Sequence, residues 1–239
     1  MLQKILLGSI LKENNNNYYY QLENEVDFME YMLKIREKTS LLHSAAEHSG
    51  YIKRLVDGNG SKKGYGEYIF NLHAIYKAIE EGLEANKEHT IVKEFVTPEL
   101  YKADLIQQDI NYILNEEQDN LLLLASTEAC VARIQEISKN NPELLVAYAY
   151  TRFLADLFGG RTFYALLGLK YGIEEEGLNY YKFEQLGDVR TYVMQYHNKL
   201  ANINLTDEEK VMFLNEINNA YIYNLAVSNE LEVKIHPAH

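Results

Sequence analysis

Tryptophan is absent from the 239 residues, cysteine occurs once and proline three times. The single cysteine, Cys130, has no internal partner, so no disulfide framework holds the fold and a reducing compartment suits the chain. So few prolines, among long Leu/Ile/Ala/Glu/Lys stretches, predict helices, and no convincing run of alternating strand residues appears. No apolar run approaches the roughly 18–20 residues of a membrane span, so no membrane anchor is expected. Positive charge is scarce as well: 23 Lys and Arg stand against 35 Asp and Glu, a net −12. That balance argues against a nucleic-acid-binding surface over much of the molecule. The opening MLQKILLGSILK lacks a clear basic segment and a small-x-small cleavage site, so the expected location is cytoplasmic.

What remains is an ordinary globular composition, 47% apolar and 24% charged, with an unusual 20 tyrosines. A chain of this length buries about 70–75% of its unfolded surface, enough to tolerate a cofactor-sized cavity. The expected architecture is a single all-α domain over residues 27–232, with a loose low-complexity arm at 1–26 and a short polar tail at 233–239. Helices are expected at about 27–38, 40–56, 66–88, 98–114, 118–140, 184–200 and 206–230, with the turn-rich DGNGSKKGYG at 57–66 between two of them. A further helix begins at NNPELL, with Asn141 as N-cap and Pro142 and Glu143 in the first turn. Thr206 and Glu209 have the spacing of a capping box.

That helix from NNPELL contains YTRFLADLFGGRTFYALLG, and its two adjacent glycines, Gly159 and Gly160, are out of place. Each interior glycine costs about 1 kcal/mol relative to alanine, yet the apolar pattern continues on both sides. The pair therefore predicts a bend where something approaches the backbone. Arg152 and Asp156, one turn apart before the glycines, read either as a surface ion pair or as an inward-facing acid. In TSLLHSAAEHSGYIKRLV, His43 and Glu47 share one helix face. The pair reads either as a satisfied, partly buried histidine or as half of a metal site, with no second pair to complete a di-metal centre. His48 projects to another side of the helix.

Together, LLHSAAEH and ELLVAYAYTRFLADLFGGR closely resemble the proximal and distal helices of the heme oxygenases. The resemblance extends through YIFNLHAIYKAIEEGLEANKEH, FVTPELYKADLIQQDINYIL and the late NNAYIYNL, in the same order over roughly residues 30–230. It implies an all-helical domain that sandwiches heme, both cofactor and substrate, between two helices. With O2 and electrons such an enzyme opens the ring to biliverdin, CO and ferrous iron, for iron acquisition or heme detoxification. Ferredoxin, flavodoxin or a flavoprotein reductase would supply the electrons.

The same resemblance implies roles residue by residue. His43 matches the proximal iron ligand, for which a neutral imidazole nitrogen is suited, and Glu47 the acceptor that orients its other nitrogen. Asp156 matches the distal aspartate that holds a proton-feeding water network, supported by Tyr76, Arg152 and Asn224. Gly159 and Gly160 match the glycines that let the distal helix lie against heme. Tyr150 and Tyr221 match aromatics near the heme edge, and Arg36 and Arg190 match basic positions for the propionates.

Four positions depart from the family pattern. Ala155 stands where glycine is usual, Phe158 where the residue is usually small, Met194 where arginine is common and Ser40 where lysine is common. The first two motivate an alternative, a non-catalytic heme carrier or sensor on the same fold. A third reading is a thiaminase-like enzyme, for which Cys130 is the sole candidate nucleophile, although it reads better as a small core residue.

Overall fold

The computed structural model describes residues 33–237; the expected arm at 1–26, the start of the first helix and the last two residues lie outside them. Every long element among the described residues is a helix, and no strand occurs there. Helix α1 covers 33–47 and is followed by α2 (Gly50–Val56), α3 (Lys62–Ala85), α4 (Ala103–Leu114), α5 (Ala125–Asn140), α6 (Leu145–Tyr171), α7 (Val189–Ala201) and α8 (Asp207–Ile235). Short 3-10 turns fill the joints, among them Asn179–Tyr181 between α6 and α7.

Several boundaries differ from the sequence expectation, and tertiary contacts explain the differences. No break occurs near residue 39; the chain breaks at His48–Ser49 instead. There Gly50 adopts φ +57° because its backbone lies against Ser228 of α8, where a Cβ would come within 2.6 Å. Ser228 Oγ donates to Ser49 O at 3.1 Å and accepts from Ile52 N at 3.1 Å, and Arg54 of α2 pairs with Glu232 of α8. Helix α3 starts at Lys62, not 66, because Ser61 caps it, accepting from Gly64 N.

Helix α5 starts at Ala125 rather than 118, and its first amides are capped from elsewhere. Asn71 Oδ1 accepts from Leu124 N at 3.0 Å, and Glu230 accepts from Ala125 N and Ser126 N. Asn141 makes no side-chain cap; Pro142–Leu144 form a 3-10 turn that leads into α6. The Thr206–Glu209 capping box is formed as expected, and α8 continues to Ile235, past the expected end at 230.

Helix α6 runs unbroken through the glycine pair and ends at Gly172, whose φ of +61° is a left-handed cap. Its first half, Leu145–Leu157, is buried at nearly every position. A helix apolar on all sides belongs at the centre of the bundle. Helix α6 packs on α3 and α8, and α8 packs on α2; α1 faces the middle of α6 across a gap.

Candidate active site

That gap is a cavity of about 810 Å³, counting the open space at its mouth. From α1 come His43, Ala46 and Glu47; from α6 Arg152, Ala155, Asp156, Gly159, Gly160 and Phe163; from α8 Tyr221 and Asn224. Ile52, Tyr68, Thr151, Tyr180 and Tyr181 complete the wall.

The α1 side is open. His43 keeps 47% of its side chain exposed, with Nδ1 3.6 Å from Glu47 Oε2, longer than a hydrogen bond. Its ring meets Tyr221 edge-on, with centroids 5.4 Å apart. His48 turns away, its Nδ1 2.8 Å from Ser44 O.

The α6 side is dense. Asp156 is buried, and far from making a surface ion pair it accepts hydrogen bonds on both oxygens. Tyr76 donates to Oδ2 and Tyr180 to Oδ1, the latter at 2.6 Å. Arg152, also buried, donates from Nε to the Tyr76 oxygen and from Nη2 to the Tyr180 oxygen, each at 3.2 Å. Its Nη1 donates to Asn224 Oδ1 at 3.3 Å. Burial pushes the Asp156 carboxyl above its usual range, opposed by the Arg152 guanidinium and the two phenols. One turn further along α6, a methyl group on Gly159 would meet no atom within 4 Å. The bare backbone there faces open space, which answers why a glycine is placed inside this unbroken helix.

The arrangement fits a flat ligand with an iron at its centre. An accessible imidazole stands on one side, and on the other a helix surface cleared of side chains lies beside a buried acid able to hold protons. The Heme oxygenase family model matches residues 29–230. The chain belongs to the heme oxygenase family. The heme oxygenase of Porphyra purpurea is 34% identical over 204 residues, 84% of this chain and 86% of that protein. The crystal structure of heme oxygenase-1 from the cyanobacterium Synechocystis in complex with heme superposes with a TM-score of 0.81 at 28% identity, over 86% of this chain and 93% of that one. The heme oxygenase of Leptospira interrogans gives a TM-score of 0.77 at 29% identity, over 84% and 98%. This heme oxygenase is thus a heme-degrading oxidoreductase of the all-helical type, with heme as cofactor and substrate.

The cavity gathers His43, Glu47, Arg152, Ala155, Asp156, Gly159, Gly160, Tyr221 and Asn224, with Tyr76 immediately behind Asp156. It does not gather Tyr150, which packs against His197, nor Arg36 and Arg190, both exposed away from the lining. Phe158, expected to add bulk at the glycine bend, points outward and is 68% exposed; Met194 and Ser40 are exposed too. Of the four departures only Ala155 touches the cavity. Cys130 is buried, and burial pushes its thiol up to about 12, which removes the nucleophile a thiaminase-like reading requires. Among the described residues no cluster of three metal-ligating side chains occurs, and no helix is long and apolar enough to cross a membrane.

Sequence reasoning missed Tyr180, Tyr181 and Tyr68. Tyr180 arrives from a 3-10 turn 24 residues after Asp156, and no helical period connects the two. The adjacent pair in LNYYKF was the only trace.

Proposed function

We propose that His43 ligates heme iron from α1 and that Asp156, held by Tyr76, Tyr180 and Arg152, governs proton supply on the opposite face. When bound, heme supplies both the iron that activates O2 and the macrocycle that is opened to biliverdin, CO and ferrous iron. Glu47 lies close enough to orient the His43 imidazole through a water. Gly159 leaves the α6 backbone bare toward the cavity, which would leave room there for O2 beside heme, and Gly160 lines the same stretch against the Tyr181 and Phe183 rings. Asp156 is an acid too deeply buried to protonate indiscriminately. It passes protons singly, which suits attack on the ring.

Ferredoxin, flavodoxin or a flavoprotein reductase is the electron donor in this reading, and the one-cysteine chain works in the cytoplasm. Arg36 and Arg190, exposed away from the lining, act as long-range cations for the propionates and for an acidic donor. The observation that carries the reading is one cavity holding His43 on α1 and the cleared Gly159 backbone beside buried Asp156 on α6.

Absorption titration of the purified protein with hemin, then reductant in air, tests it. A one-to-one Soret complex that decays to a bilin is expected, with binding altered in His43→Ala and turnover lost in Asp156→Ala. A complex that never loses its Soret band would favour the non-catalytic carrier, with Ala155 as the suspect residue. Failure to form any Soret complex would overturn the assignment of this cavity.

A further inference from the structure

Three oxygen contacts surround Asp156, yet with the carboxylate ionised only two protons serve them. Tyr76 and Tyr180 each donate to one carboxylate oxygen, and their own oxygens lie 2.8 Å apart. Each phenol has a single O–H, so the third contact has no proton of its own. A third proton would complete the ring. With Asp156 protonated at Oδ1, that oxygen donates to Tyr180, Tyr180 donates to Tyr76, and Tyr76 donates to Oδ2. Arg152 continues to donate to both phenol oxygens. No heavy atom has to move.

We infer that Tyr180 is a positioning residue for the distal acid: it closes a ring of three hydrogen bonds through which Asp156 accepts one proton and returns it. The proton enters at the carboxylate and leaves from it toward the ligand side, and the two phenols end as they began. This inference rests on the reading of Asp156 as the proton-governing acid.

The segment that carries Tyr180 is fixed from behind. Asp109 of α4, fully buried, accepts from Asn179 N and Asn179 Nδ2 on Oδ1, at 2.8 and 2.9 Å, and from Tyr180 N on Oδ2, at 2.8 Å. Lys102, also buried, donates from Nζ to Lys182 O at 2.6 Å and sits 3.7 Å above the Phe183 ring. Two buried charged groups spent on one short turn are more than a loop needs for order alone. They set the Tyr180 hydroxyl to bonding distance of Asp156.

The charged and titratable groups facing Asp156 are Arg152 on its own helix, Tyr76 and Tyr68 from α3, Lys102 before α4, and Tyr180 and Tyr181 from the 3-10 turn. The Tyr180 hydrogen bond favours the carboxylate. That bond is charge-assisted and outweighs the neutral contacts Tyr180 makes in the closed ring, so its loss moves protonation of Asp156 to higher pH.

Tyr180→Phe tests this, because the ring packing on Tyr76 and Tyr181 is kept and one hydroxyl is removed. In the heme-free protein, infrared difference spectra across an acid titration, with Asp156→Asn to identify the carboxyl band, should show the Asp156 midpoint moved upward. In the hemin complex, the acid limb of the bilin-formation profile should move the same way. Turnover in acid solution should fall roughly tenfold, about what a hydrogen bond to a charged group is worth, while hemin affinity holds. Tyr65→Phe, whose hydroxyl is 3.4 Å from Tyr181 and does not touch Asp156, should leave both measurements unchanged. An unshifted infrared midpoint in Tyr180→Phe would overturn the inference. Failure of the wild type to degrade heme would instead remove the functional reading, with the infrared result still deciding the ring.

Discussion

His43 and Asp156 face the same cavity, but the protein holds them by different means. Nearly half of the His43 side chain is exposed, its neighbour Glu47 stands beyond hydrogen-bonding distance, and its packing is one edge-on contact with Tyr221. Asp156 is buried with both oxygens bonded, by Tyr76 from α3 and Tyr180 from the turn before α7, and Arg152 of α6 bonds both phenols. The distal side is therefore assembled by folding itself, since a carboxylate taken out of water must find donors or be lost as a charge. The other side is an exposed imidazole on an accessible helix, which in the proposed function acquires its second contact from heme. Substitutions on the two sides should separate folding from binding.

The largest effect is expected on turnover. Asp156→Asn keeps the shape of the site but removes the proton-accepting group, so bilin formation should fall by about 10²–10⁴-fold while the Soret complex still forms. Stopped-flow absorbance after reduction in air measures it; retained turnover would mean the acid lies elsewhere. Next comes stability. Arg152→Ala leaves Asp156 buried without its nearest guanidinium, and urea melts should show a loss of about 3–5 kcal/mol. On the exposed side, His43→Ala should change the unfolding free energy from urea melts by no more than about 0.5 kcal/mol but weaken and spectrally alter the hemin complex. A large destabilisation there would erase the contrast between the two walls.

The same contrast explains what could be read in advance. His43, Glu47, Asp156 and the glycine pair lie on two helices, where spacing reports the face, and the capping box at Thr206 is a local signal that tertiary contacts left intact. Tyr180 reaches Asp156 through a short 3-10 turn whose position depends on Asp109 and Lys102, far away in sequence. The late start of α5 depends on Asn71 and Glu230, again distant. The assignments that failed, such as Phe158 as bulk inside the bend, failed because α6 turns that position to solvent. Local periodicity placed the residues along each helix; it could not place the turns between helices, whose geometry is set by buried polar groups elsewhere.

The smallest effect sharpens how the distal wall is supported. Glu80 lies one turn beyond Tyr76 on α3 and accepts from Lys102 N at 2.5 Å and Ala103 N at 3.0 Å, so it caps α4, the helix that carries Asp109. Burial pushes its carboxyl up to about 7, outweighing the two amide bonds that pull it down. Between the unfolded value near 4.5 and about 7, the folded protein binds the extra proton, so this group makes stability fall as pH rises across that window. Glu80→Gln keeps a carbonyl to accept from the two amides and removes the titration. Its stability relative to wild type should therefore be higher at pH 8 than at pH 5, as thermal melts at the two values would show. If Glu80→Gln instead tracked wild type across the window, the buried support of the distal wall would not include a proton at Glu80, and Asp109 and Lys102 alone would hold the Tyr180 turn.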